Sequence, residues 1–183
     1  LDDGYDTVNS LINYTLGKNL EDLELLGDDN LKGTGNELDN SIIGNNGNNV
    51  LKGMLGNDTL IGGLGSDTLT GGKGSDTFEF SPLDFWTVDS NGSYMLNKFI
   101  DTITDFNPKE GDTMIFDDGE LEFYNNLSEA KTANSYLFYI KGSGKIYLDS
   151  DTTGLDYTPV VIIKLTGNPK VNIDLTDWDY PTS

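Results

Sequence analysis

Oxygen-bearing side chains of two kinds recur at a fixed interval in this sequence: Asn40, Asn49, Asp58, Asp67 and Asp76, nine residues apart. Such side chains are hard ligands, suited to Ca²⁺ or Mg²⁺ rather than to a soft transition metal. If two nine-residue units make one coil, residues eighteen apart lie in adjacent turns on one edge, about one strand spacing of 4.8 Å from each other. Two carboxylates at that distance repel. A divalent cation between them removes the repulsion, with carbonyls of the turns filling its remaining positions. Rival chemistries are mostly excluded, because the 183 residues include no Cys and no His. Thiolate and Ser-His-Asp catalysis, cysteine–zinc sites and His-Glu-x-x-His zinc sites all fall away. A catalytic carboxylate pair is possible on composition alone, but no motif supports it, and we expect no enzymatic activity.

The elements that must position these oxygens are written in the glycines. The segments opening at Gly44, Gly53, Gly62 and Gly71 each run nine residues, and a weaker copy opens at Gly35. Each divides into a six-residue turn and a three-residue strand. Glycine supplies the positive φ that a tight turn needs, and Asn is the next most tolerant residue there. The eighth position is always apolar: Ile42, Leu51, Leu60, Leu69 and Phe78. With alternate residues pointing to opposite faces, one side chain per strand turns inward. Ile42, Leu60 and Phe78 should then stack on one wall, and Leu51 with Leu69 on the other. A core this thin cannot by itself offset the ordering entropy of so many glycines, so bound cations are expected to hold the turns. The opening Gly4-Tyr5-Asp6-Thr7-Val8 fits the second half of one more copy, and we expect the array to continue upstream.

The pattern Gly-Gly-x-Gly-x-Asp-x-apolar-x, as in Gly62-Gly63-Leu64-Gly65-Ser66-Asp67-Thr68-Leu69-Thr70, resembles the repeats-in-toxin (RTX) family. That family supplies the β-rolls of serralysin-type proteases, lipases, toxins and large bacterial adhesins. The resemblance implies an all-β fold, a right-handed parallel β-roll stabilised by several Ca²⁺ ions. It also implies the ligand sets. One turn gives the carbonyls of its second and fourth residues and its sixth side chain. The turn two repeats later gives the carbonyls of its first and third residues and its own sixth side chain. Asn40 then pairs with Asp58, with carbonyls of Asn36, Leu38, Gly53 and Leu55. Asn49 pairs with Asp67, with carbonyls of Asn45, Gly47, Gly62 and Leu64. Asp58 pairs with Asp76, with carbonyls of Met54, Gly56, Gly71 and Lys73. Gly63 and Gly65, and Gly72 and Gly74, are the second and fourth residues of the last two turns, whose Asp67 and Asp76 lack a later repeat. In the segment Asp101-Thr-Ile-Thr-Asp105-Phe106, followed by Gly111-Asp112, which resembles the family's terminal pattern, Asp101 or Asp105 either completes one of those sites or belongs to a solvated strand face. Sites that contain Asn carry less negative charge and should bind more weakly. Met54 departs from the usual Gly at its position.

We divide the chain into residues 1–80, the roll with N-terminal lead-in coils of irregular shape, and residues 81–183, a C-terminal antiparallel β cap associated with secretion. In the cap, strand-like runs occur at Phe99–Phe106, Thr113–Phe116, Ser135–Ile140, Lys145–Asp149, Val160–Leu165 and Lys170–Leu175, with a short helix expected over Ser128–Thr132. Asp149-Ser-Asp151-Thr-Thr153-Gly154 copies the start of an EF-hand loop. The twelfth position is Val160 rather than Glu, so a polar hairpin turn is the preferred reading.

Charge limits the partners. Asp plus Glu number 31 against 11 Lys plus Arg, a net charge of −20. Nucleic acid and anionic membrane surfaces are poor candidate partners, and no apolar run is long enough for membrane insertion. The resemblance implies a monomeric, calcium-dependent folding and type I secretion module, C-terminal in a larger secreted or cell-surface bacterial protein and read by a type I exporter. An adhesin segment or a calcium-stabilised polysaccharide-binding module is the alternative.

Overall fold

A computed structural model of the protein describes residues 4–81, 86–88, 94–96, 99–116, 122–124, 137–140, 145–148 and 160–166. Its strands are β1 Thr7–Ser10, β2 Tyr14–Thr15, β3 Asp22–Leu25, β4 Lys32–Thr34, β5 Ser41–Ile43, β6 Val50–Leu55, β7 Thr59–Ile61, β8 Thr68–Lys73 and β9 Thr77–Phe80. After these come β10 Trp86–Val88, β11 Tyr94–Leu96, β12 Asp101–Ile103, β13 Thr113–Phe116, β14 Glu122–Tyr124, β15 Leu137–Ile140, β16 Lys145–Leu148 and β17 Val160–Leu165. Through β9, odd and even strands go to different sheets. One sheet runs β1-β3-β5-β7-β9-β13, and the facing one carries β2-β4-β6-β8-β12 before β17. All of these neighbours pair in parallel. The result is the expected parallel solenoid, two strands to a coil. Among the described residues there is no helix, so none is long and apolar enough to cross a membrane.

The register is the eighteen-residue one: Ile42 faces Leu60 and Leu60 faces Phe78 on one wall, while Leu51 faces Leu69 on the other. All five side chains are fully buried. The walls extend past the repeats, with Leu23 preceding Ile42, Met114 following Phe78 and Ile103 following Leu69. Gly33 is the exception at an inward position. A Cβ there would meet Leu23, Ile42 and Leu51 at 3.1 to 3.2 Å, so neighbouring side chains already fill its place.

The lead-in coils carry regular strand pairs, but their lengths differ from the repeats. Asp22 faces Thr7 and Ser41 faces Asp22, offsets of 15 and 19 residues. After β9 the next strands of the two roll sheets are β12, which begins after twenty intervening residues, and then β13. Of the C-terminal strands, β10 pairs with β11, β15 with β16 and β16 with β17 in antiparallel fashion, while β14 pairs with β15 in parallel. The expected helix over 128–132, the loop 149–154 and the strand 170–175 lie outside the described residues.

Candidate metal centre

Each strand ends where a turn must reverse the chain, and the sixth turn residue sits just before the next strand. That placement turns its side chain inward along the edge, where the next coil can reach it. The backbone N–H of Asn40 donates to Asp58 Oδ1 at 2.8 Å, that of Asn49 to Asp67 Oδ1 at 2.7 Å, and that of Asp58 to Asp76 Oδ1 at 3.0 Å. All five sixth-position residues are buried, with at most 3 % of their surface exposed. The three pairs expected at eighteen-residue spacing are therefore brought together, each through one oxygen.

The second oxygen carries the chemistry. Asp58 Oδ2 is buried and accepts no hydrogen bond. A Cβ added to Gly53 would strike both this oxygen and the carbonyl oxygen of Gly71, so the two converge on one place. Gly44 stands likewise against Asn49 Oδ1 and the Gly62 carbonyl, and Gly35 against Asn40 Oδ1 and the Gly53 carbonyl. The first-position carbonyls thus face back toward the preceding coil. The second- and fourth-position carbonyls face forward: those of Leu38, Asn45, Gly47, Met54 and Gly56 approach Gly56, Gly63, Gly65, Gly72 and Gly74 of the following coil. Two of the implied ligands are already engaged, since the Asn36 carbonyl accepts from Leu55 N–H and the Lys73 carbonyl from Gly56 N–H. Leu55 and Leu64 occupy the third positions of their turns.

Asn40 Oδ1 and Asn49 Oδ1 each accept from an N–H of their own turn, but the converging oxygens around Asp58 Oδ2 repel one another, and a cation is the group that fits. Burial pushes the Asp58 carboxyl up from 3.8 to about 7, the Asn40 N–H partly offsetting this and Asp76 adding to it. Asp76 is raised as well, chiefly by burial. Each interval between the repeats offers at most two sixth-position carboxylates, and among the described residues no group of three or more acidic side chains is placed to hold a metal ion. The donor set is therefore mostly backbone carbonyl, which is hard-cation chemistry suited to Ca²⁺.

The ladder continues beyond the repeats. Asp67 N–H donates to Asp101 Oδ1 at 2.8 Å and Asp76 N–H to Asp112 Oδ1 at 3.1 Å. Asp101 thus takes the sixth-position role after Asp67. Asp105 does not; its carboxylate accepts from the N–H groups of Gly71 and Gly72 at 3.0 and 2.9 Å. Asp112, the partner of Asp76, lies 36 residues on and so keeps the nine-residue phase, but no glycine repeat leads up to it and it was not singled out as a ligand. The triplet Asp-Thr-apolar would have found it: Asp58-Thr-Leu, Asp67-Thr-Leu, Asp76-Thr-Phe, Asp101-Thr-Ile and Asp112-Thr-Met share it. A second ladder at the fifth position was also unforeseen. Asp39 accepts from Asn57 N–H, Asn57 from Ser75 N–H and Asn48 from Ser66 N–H, at 2.6 to 2.9 Å. It binds coil to coil in the opposite sense to the sixth-position ladder.

No curated protein matches the chain. The family model described as the RTX calcium-binding nonapeptide repeat, in four copies, matches residues 33–69 and 43–78. Coil register, glycine placement and buried carboxylate edge agree with that match, and residues 33–78 are RTX calcium-binding nonapeptide repeats.

Proposed function

We propose that this calcium-binding module serves as the folding switch of a larger exported protein, passing a type I exporter unfolded and closing outside the cell, with no catalysis of its own. The observation that carries the reading is the buried, unpartnered Asp58 Oδ2 beside the Gly71 carbonyl. Without a cation, folding must bury that charge unpaired, which costs several kcal/mol by general estimate, roughly. The net charge of −20 adds self-repulsion. Bound calcium supplies the positive charge that these oxygens lack. Sites built mainly from carbonyls and carboxamides suit calcium near roughly millimolar concentration, the extracellular range. A chain unfolded at low calcium can be threaded through a channel, and folding beyond it opposes return.

Circular dichroism of the full chain during a Ca²⁺ titration tests the switch. A cooperative gain of β signal is expected, with Mg²⁺ substituting poorly because it demands tight octahedral geometry. A full β signal in excess EGTA would remove the reading. Export is tested separately, by fusing a reporter to the full chain and to a truncation at residue 81 in cells with a type I exporter. Equal secretion by both would place the address elsewhere.

A further inference from the structure

The turns differ at their second residue, and that difference decides what fills the space between coils. In the three downstream turns this residue takes positive φ: Met54 at 92°, Gly63 at 84° and Gly72 at 117°. Upstream it is Asn36 on one edge and Asn45 on the other, both with ordinary φ. The Asn36 amide Nδ2 donates to the carbonyls of Gly17 and Leu20 at 2.7 and 2.8 Å. The Asn45 Nδ2 donates to the carbonyls of Leu26 and Asp29, both at 3.1 Å. At the other end of each side chain, Oδ1 accepts from the N–H of Leu38 or of Gly47 at 2.8 Å. The orientation of the amides is therefore forced, because carbonyl oxygens can only accept. Asn40 adds two weaker bonds of the same kind, to Leu20 and Glu21 at 3.2 Å. An –NH₂ group that points two polarised protons at converging carbonyls does there what a cation does for converging oxygens downstream.

We propose that the second turn residue selects the filling of each interval, and that Asn36 and Asn45 close the first interval on each edge with an amide in place of an ion. The upstream coils then hold together without calcium and form the end onto which the calcium-dependent coils close. That last step rests on the calcium reading of the downstream turns, whereas the amide assignment does not.

Hydrogen exchange on the full chain, followed by mass spectrometry in EGTA and in CaCl₂, separates the two. In EGTA the amides of residues 22–36 should stay protected while those of 59–76 exchange, and calcium should protect the latter. Equal, fast exchange of both segments in EGTA overturns the amide assignment. Protection of 59–76 that ignores calcium, with 22–36 also protected, counts against the calcium reading and supports the amide one. Asn36→Asp replaces the donor with a third oxygen. It should speed exchange of residues 32–36 in EGTA by about tenfold or more, two hydrogen bonds being lost. Calcium should restore protection, with one more bound ion by native mass spectrometry. Unchanged protection in EGTA and an unchanged ion count would overturn the proposal.

Discussion

The upstream and downstream coils share one backbone plan and one core, yet their edges are built differently. Between residues 17 and 49 the gaps between turns are bridged by neutral carboxamides, with donors matched to acceptors. Between residues 53 and 76 the same gaps hold oxygens facing oxygens, and one carboxylate oxygen of Asp58 is buried without any donor. Hydrophobic burial is alike on both sides: Leu23 and Ile42 upstream and Leu60 and Leu69 downstream are all essentially inaccessible. The contrast teaches that the core does not determine the proposed calcium dependence. It follows from the electrostatics of the edge, where a buried acceptor without a donor costs more than a modest hydrogen bond returns.

Breaking the downstream edge should give the largest effect. Asp58→Ala removes the acceptor of the buried Asn40 N–H, a loss of about 1–3 kcal/mol, and on the proposed ligand sets takes an oxygen from two adjacent intervals. We expect a raised calcium midpoint and a lower ion stoichiometry by calorimetry. Glu37→Gln, on an exposed turn residue, should stay within about 0.5 kcal/mol of the wild type. A wild-type midpoint and stoichiometry for Asp58→Ala would erase the distinction between the two edges.

Acid should act on the same edge and spare the other, since Asn36 and Asn45 do not titrate. Burial raises Asp58 from 3.8 to about 7 and Asp112 to about 6. Between pH 4 and pH 7, roughly, the folded metal-free roll binds more protons than the unfolded chain, so its stability falls as pH rises through that window. In EGTA the β signal at pH 5 should therefore exceed that at pH 8. With calcium present the trend should reverse, protons competing with the ion and the calcium midpoint rising as pH falls. An EGTA signal independent of pH would show that the buried carboxylates are not what opposes metal-free folding.

Gly33→Ala sharpens the comparison from the upstream side. The new methyl would press on Leu23, Ile42 and Leu51, an overpacking cost of about 1–3 kcal/mol. Thermal unfolding should show the loss with and without calcium, because no edge oxygen is involved. A loss seen only in EGTA would mean that the two ends of the core are coupled through the ions.

Met54→Gly should give the smallest change, and a favourable one. Met54 holds φ at 92° with its side chain 48 % exposed, so its strain, about 1–3 kcal/mol, is not returned by burial. Glycine removes the strain at an entropic cost of about 0.5–1 kcal/mol. A slightly lower calcium midpoint is expected. A higher one would indicate that the exposed thioether chain contributes to the turn.

What the sequence determined by itself was whatever depends on period. Nine-residue phasing placed Ile42, Leu60 and Phe78 on one wall and Leu51 and Leu69 on the other, and paired Asn40 with Asp58, Asn49 with Asp67 and Asp58 with Asp76. A strand shows its side chains alternately and a coil repeats its turns, so spacing alone settles face and register. Where the spacing breaks, only the tertiary structure decided. The twenty residues between β9 and β12 put Asp101 out of the nine-residue phase and leave Asp112, still in phase 36 residues after Asp76, with no repeat leading up to it, although both return to the edge beneath Asp67 and Asp76. The amide role of Asn36 and Asn45 was hidden for a different reason. A carboxamide can offer oxygen to an ion or N–H to a carbonyl, and residue type does not say which. The choice falls to the backbone around it: the carbonyls of Gly17, Leu20, Leu26 and Asp29 already point at the side chain, and they can only accept.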